Sequence, residues 1–224
     1  MRIEISAEEI LEIDRLAGLG SLTGSIAHEV LNPLAAALNF SMVVRQLLAG
    51  DDTPPERMGE VRRHLDDVIG EISRVCRVLS TLRTLAHSGA TSLEPCDLNR
   101  TVAEALELIY HRLKLEGIQL ERRLAAGMPC VRCDRSRIQQ FILSTVLNGA
   151  GRSDNPPGGA ILVATGLRRE TGEAFVEVQW GGSDFGVVGR EAADLIGRVH
   201  SGRVERSVEA PGMSSVRLVL PLSE

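Results

Sequence analysis

Two long segments with apolar residues three and four positions apart constrain this chain more than any other feature. In the first, residues 7–49, Leu19, Leu22, Ile26, Val30, Pro33, Ala37 and Phe40 trace one stripe of a helix. In the second, from Pro55 to His87, Met58, Val61, Leu65, Val68, Ile72, Val75, Leu79 and Leu82 do the same. Its other face is charged, with Arg62, Arg63, Asp66, Asp67, Glu71 and Arg74. Between them, Gly50-Asp51-Asp52-Thr53-Pro54-Pro55 is a stop followed by a turn. The pattern predicts an antiparallel helical hairpin about 60 Å long at 1.5 Å per residue. Pro33 lies inside the first helix, where packing against a partner helix can hold it across a modest kink. Two helices cannot bury such stripes alone, so the hairpin is expected to pair with a second copy as a four-helix bundle, making a homodimer.

His28 lies off the apolar stripe and is expected to point outward. Asn32, four residues later, shares its helix face. Glu29 is adjacent and can hydrogen-bond or polarise the imidazole. This set suits chemistry on the histidine itself. The string His28-Glu29-Val30-Leu31-Asn32-Pro33-Leu34 resembles the H-box of bacterial histidine kinases, H-E-x-x-N-P-L. The resemblance implies that His28 carries a phosphoryl group and that residues 1–90 form a dimerisation and phosphotransfer domain.

Aromatic residues make up only 3% of the chain, so its core must be built from Leu, Val, Ile and Ala, which favours helix packing. The net charge is −5, Lys114 is the single lysine, and no basic block or basic-aromatic stripe appears. Nucleic acid is therefore not an expected partner. No apolar run is long enough to span a bilayer, and the N-terminus lacks a signal-peptide pattern. The expected location is the cytoplasm, with no membrane partner and no room for a sensor domain ahead of the first helix. Cys130-Val-Arg-Cys133 is a lone C-x-x-C without a second ligand pair. It reads as two small packed residues rather than as a metal site.

After the small-residue linker from Ser88 to Ser92 the pattern changes. Asp97 and Asp134 are placed to cap helices 98–115 and 135–149. Segments 119–124, 130–133, 160–168, 173–180, 202–207 and 215–220 read as strands, and 190–199 as a helix. Helices mixed with antiparallel strands predict an α+β sandwich. The order resembles the Bergerat-type ATP-binding domain of histidine kinases over residues 91–224.

Measured against that family, the nucleotide site has eroded. The family's helical N-box carries two asparagines four apart, the second coordinating magnesium. Here those positions are Ser144 and a vestigial Asn148. The Asp that accepts the adenine amino group falls on Trp180, which cannot accept a proton. The second glycine of that loop falls on Asp184, and the phosphate-cradling glycine loop is missing. Asp184-Phe185-Gly186 spells a tripeptide of eukaryotic protein kinases, but nothing else in the chain fits that fold.

An intact histidine beside a degenerate nucleotide domain looks like the dimeric histidine phosphotransferases of phosphorelays. That resemblance implies relay of a phosphoryl group between response-regulator aspartates through His28, with Glu29 and Asn32 assisting. No cofactor is expected to bind stably, and magnesium would come with the partner receiver domain. The expected partner surface is Ala36, Asn39, Arg63, Asp67 and Arg74. Two other readings are a response-regulator phosphatase using Glu29 and Asn32, and a divergent ATP-dependent histidine kinase.

Overall fold

The computed structural model describes residues 6–49, 54–86, 92–151, 159–182, 187–209 and 212–222. The predicted hairpin is present as α1 (Ala7–Leu47) and α2 (Pro55–Ala86). The first turn of α1 is closed by a capping box. The Ser6 hydroxyl accepts from the Glu9 amide at 3.2 Å, and the Ser6 amide donates to the Glu9 carboxylate at 2.7 Å. The helix runs unbroken through Pro33, which is buried.

The stripe expected on α2 divides into two edges. Val61 and Val75 are buried and Val68 and Leu82 half-buried. Met58, Leu65, Ile72 and Leu79, the other members of the pattern, are each close to half exposed. On α1, Leu22, Pro33 and Ala37 are buried, while Leu31, Leu34, Leu38 and Met42 form an exposed apolar row.

The second half of the chain is built of α3 (Leu98–Leu115), α4 (Arg135–Ala150), α5 (Val187–Val199) and seven strands. As predicted, Asp97 and Asp134 cap α3 and α4, each carboxylate accepting an amide three residues on, from Arg100 and Arg137. The main sheet contains β2 (Gln119–Arg123), β4 (Ala160–Arg168), β5 (Glu173–Gly181), β6 (Arg203–Glu209) and β7 (Met213–Pro221), in the order β2-β4-β5-β7-β6. The sequence suggested antiparallel strands throughout. In the structure β2 and β4 are parallel. The chain between them crosses through α4, the kind of long connection a parallel pair needs. A further strand, β1 (Glu94–Cys96), escapes the pattern analysis because it is only three residues long. It pairs with β3 (Val131–Cys133).

Alternation gives the sheet two different faces. Ala174, Val176, Val178 and Trp180 of β5 are fully buried against the helices. The opposite face carries an ion-pair lattice, including Arg168–Glu205 at 2.6 Å and Arg217–Glu177 at 2.9 Å. Phe175 lies on this face over Gly166, where an added Cβ would come within 2.3 Å of the ring. Cys133 is buried with its carbonyl against the Cys96 thiol, and Cys130 is exposed. Among the described residues no cluster of His, Cys, Asp and Glu could hold a metal ion.

One hydrophobic cluster runs from this sheet through α3, α4 and α5 into the hairpin, taking in Leu11, Leu22 and Val78. The hairpin therefore packs as a third layer on the helices that cover the sheet. No helix among the described residues is long and apolar enough to cross a membrane.

His200 fastens two of these helices. It is buried, with Nδ1 2.7 Å from the Ile196 carbonyl, and its Nε2 accepts the Asp134 amide at 2.9 Å. Burial holds the imidazole below its ordinary value of 6.5. The folded protein thus favours neutral His200, while the unfolded chain takes up a proton as pH falls below that value. Stability from this group is present above pH 6.5 and is lost as pH falls towards the depressed folded value. Urea unfolding at about pH 7.5 and about pH 5.5 should show a decrease for the wild type and a smaller decrease for His200→Gln.

Candidate functional site around His28

His28 is exposed on α1, as its place off the apolar stripe predicts, and Asn32 is exposed one turn further on. Among the described residues the imidazole has one ring neighbour, His111 of α3, with centroids 4.8 Å apart and planes inclined by 38°. Nothing in the local sequence pattern around His111 points to contact with residue 28.

Glu29 points the other way. The sequence placed it where it could serve the imidazole, but its side chain is only 5% exposed and accepts from Arg74 of α2 at 3.0 Å. The bond follows from the antiparallel register, which sets residue 29 nearly opposite residue 74. A buried carboxylate must be paired, and α2 supplies the cation. Arg74 continues to Glu107 of α3 at 3.8 Å, and Arg77 reaches the same carboxylate at 4.0 Å. Above these, Arg112 of α3 donates to the Ser21 carbonyl of α1 at 2.8 Å. These contacts fix α3 against the hairpin on either side of His111.

Of the expected partner surface, Asn39, Arg63 and Asp67 are exposed and Ala36 is half-buried. Arg63 lies 3.9 Å from Glu60, and Asp67 lies 3.6 Å from His64. Arg74 departs from this group, because it is engaged inward by Glu29 and Glu107.

A second polar contact joins the N-terminal part of α1 to α4. Asp14 is buried, accepting from the Gln140 amide nitrogen at 3.0 Å and from the Ser144 hydroxyl at 2.8 Å. Gln140 also donates to the Leu11 carbonyl at 2.8 Å. Burial raises the Asp14 carboxyl above its usual range, although both hydrogen bonds oppose the shift. The space left between these helices is only about 10 Å³, room for a single water. The Asn148 amide turns back to the Ser144 carbonyl of its own helix at 2.8 Å. Trp180 is completely buried between β5 and α4. A Cβ on Gly149 would come within 3.0 Å of the indole, so glycine is what lets the helix sit on it. Residues 183–186, which include the Asp184-Phe185-Gly186 string, lie outside the described residues.

No protein-family model matches the chain. Among curated proteins, it is 25% identical to the sensor protein FixL of Bradyrhizobium diazoefficiens across 100% of its own length and 47% of that protein. It is 26% identical to sporulation kinase D of Bacillus subtilis over 69% of its length and 29% of that kinase. The fold is similar to that of the Acinetobacter baumannii histidine kinase AdeS, with a TM-score of 0.51, 15% identity, and coverage of 88% of this chain and 98% of that one. Histidine kinase ThkA, solved in complex with the response regulator protein TrrA, gives a TM-score of 0.51 at 19% identity, covering 93% of this chain and 63% of that one.

The chain is thus similar to histidine kinases in sequence and in fold. The chain spans less than half the length of either of these curated relatives. Its helical hairpin and α/β layers resemble the fold of those kinases, and His28 is exposed on the first helix of the hairpin.

Removing the Arg74 guanidinium leaves the Glu29 carboxylate buried without its partner. Arg74→Met should cost about 1–3 kcal/mol, the upper values being discounted because the arginine is partly exposed. Adding Glu29→Gln should recover part of the loss in denaturant unfolding.

Proposed function

We propose that the chain is a histidine phosphotransferase of a two-component phosphorelay, passing a phosphoryl group between receiver-domain aspartates through His28. The observation that carries this reading is the contrast between two sites. The imidazole of His28 is open, whereas Ser144 on the N-box face of α4 is tied to the chain's own Asp14. Trp180 stands at the adenine-recognition position and is packed against α4, which supports the loss of nucleotide binding.

A neutral ring nitrogen of His28 attacks the phosphorus of an aspartyl phosphate in line. The N–P bond forms as the acyl O–P bond breaks, and the aspartate leaves as a carboxylate. Magnesium belongs to the receiver and neutralises charge on the moving group. Return to a second receiver reverses the step. Glu29, paired with Arg74, holds the hairpin in register instead of taking the imidazole proton. Asn32, exposed on the same face, is available to the incoming partner. The proposed docking surface below His28 comprises Ala36, Asn39, Arg63 and Asp67.

The hairpin is proposed to act as a homodimer. Leu65, Ile69, Ile72 and Leu79 repeat four, three and seven apart and are exposed in the single chain, as are Leu31, Leu34 and Leu38 of α1. Such rows are the seam of a four-helix bundle. The expected outcome of Ile72→Asp is a monomer by light scattering, because the charge would sit in the bundle core. A monomeric wild type at micromolar concentration would contradict the proposal.

The divergent-kinase reading has an observation in its favour: the curated relatives named above are a sporulation kinase and a sensor protein. Label transfer separates the readings. The chain is incubated with radiolabelled ATP and, in parallel, with a labelled phosphorylated receiver. Relay requires label on His28 from the receiver alone, and none in His28→Ala. Label from ATP establishes the kinase. Receiver dephosphorylation that survives His28→Ala but not Asn32→Ala establishes a phosphatase.

A further inference from the structure

His111, of the α/β region, has a ring contact to His28. Its place is imposed by contacts that do not involve either imidazole. One residue on, Arg112 holds the Ser21 carbonyl of α1. One turn back, Glu107 meets Arg74 and Arg77 of α2. Leu108 and Ile109, on the inner side of the same turn, are fully buried. The helix can hardly shift without breaking these, so the imidazole of His111 is held beside the exposed ring of His28. Glu29 is already engaged by Arg74, and Glu107 by Arg74 and Arg77.

We propose that His111 is a contact for the phosphoryl group carried by His28, and that it prolongs the life of the phosphohistidine. The proposal rests on the reading of His28 as the phosphoacceptor. An imidazole always carries at least one N–H, and that donor can reach an oxygen of a group attached to a ring less than 5 Å away. Hydrogen bonds to an ionised oxygen are the stronger kind. Hydrolysis needs water at phosphorus and a proton on the other ring nitrogen, so that the imidazole leaves as a neutral group when the N–P bond breaks. A donor held on the phosphoryl oxygens and a ring covering one side of the group oppose both. The α/β region would thus protect the group between its arrival and its departure, without contributing any nucleotide.

The test needs no receiver. Phosphoramidate phosphorylates His28 directly: its P–N bond breaks, ammonia leaves, an N–P bond forms on the ring, and the displaced ring proton goes to solvent. Phosphorus NMR then follows the phosphohistidine resonance, assigned by its absence in His28→Ala. In His111→Ala the signal should decay about tenfold faster than in the wild type. His111→Arg, which restores a donor, should decay within about twofold of the wild type. Circular dichroism confirms that both variants keep the helix content. Equal lifetimes in wild type and His111→Ala would overturn the proposal. A wild type that takes no phosphoryl group on His28 would overturn both the proposal and the reading beneath it. A long-lived, His111-dependent phosphohistidine that never reaches a receiver would overturn the relay and sustain the role of His111.

Discussion

A buried carboxylate next to an exposed histidine sets the geometry of this molecule. The Glu29 side chain lies inside a helix interface, and Arg74 is the residue that the antiparallel register brings to it. Arg74 is wide enough to meet a second carboxylate, Glu107, and so α3 is drawn to the same point. Three helices are thereby indexed on one guanidinium. His28, one residue from Glu29, inherits a fixed position relative to all three, with His111 beside it. The H-box resemblance would give Glu29 to the imidazole; here the carboxylate serves assembly.

The same economy governs α4. Ser144 and Gln140 face the N-terminal part of α1, where Asp14 takes hydrogen bonds from both. An acid buried in this way is held above its usual range and is kept by its donors. In the proposed reading, a surface that serves nucleotide chemistry in the kinase family has become an internal joint. Trp180 and Gly149 complete it, the indole filling the place that the missing side chain leaves.

Much of this was legible in the sequence. Hydrophobic period gave both long helices, and Asp97 and Asp134 marked where α3 and α4 begin, because period and caps are local properties. His28 could be placed outside the seam for the same reason. The direction of Glu29 could not, since adjacent residues on a helix differ by about 100° and only the partner helix decides which side is interior. Arg74 was read as surface because its neighbours Arg63 and Asp67 are. His111 and Asp14 carried no local signal at all, and their roles arise from contacts between segments more than 80 residues apart. The parallel pairing of β2 with β4 likewise depends on a crossover that strand composition does not encode.

In the proposed reading the hairpin carries the chemistry, and the α/β layers hold it in place and supply no nucleotide. Calorimetric titration of magnesium-ATP into the full chain tests that claim most directly. No binding heat is expected at millimolar nucleotide, with Asp14, Gln140 and Ser144 remaining engaged with one another. Micromolar affinity that is lost on Asn148→Ala would contradict it and return the α/β layers to the role of a nucleotide-binding domain.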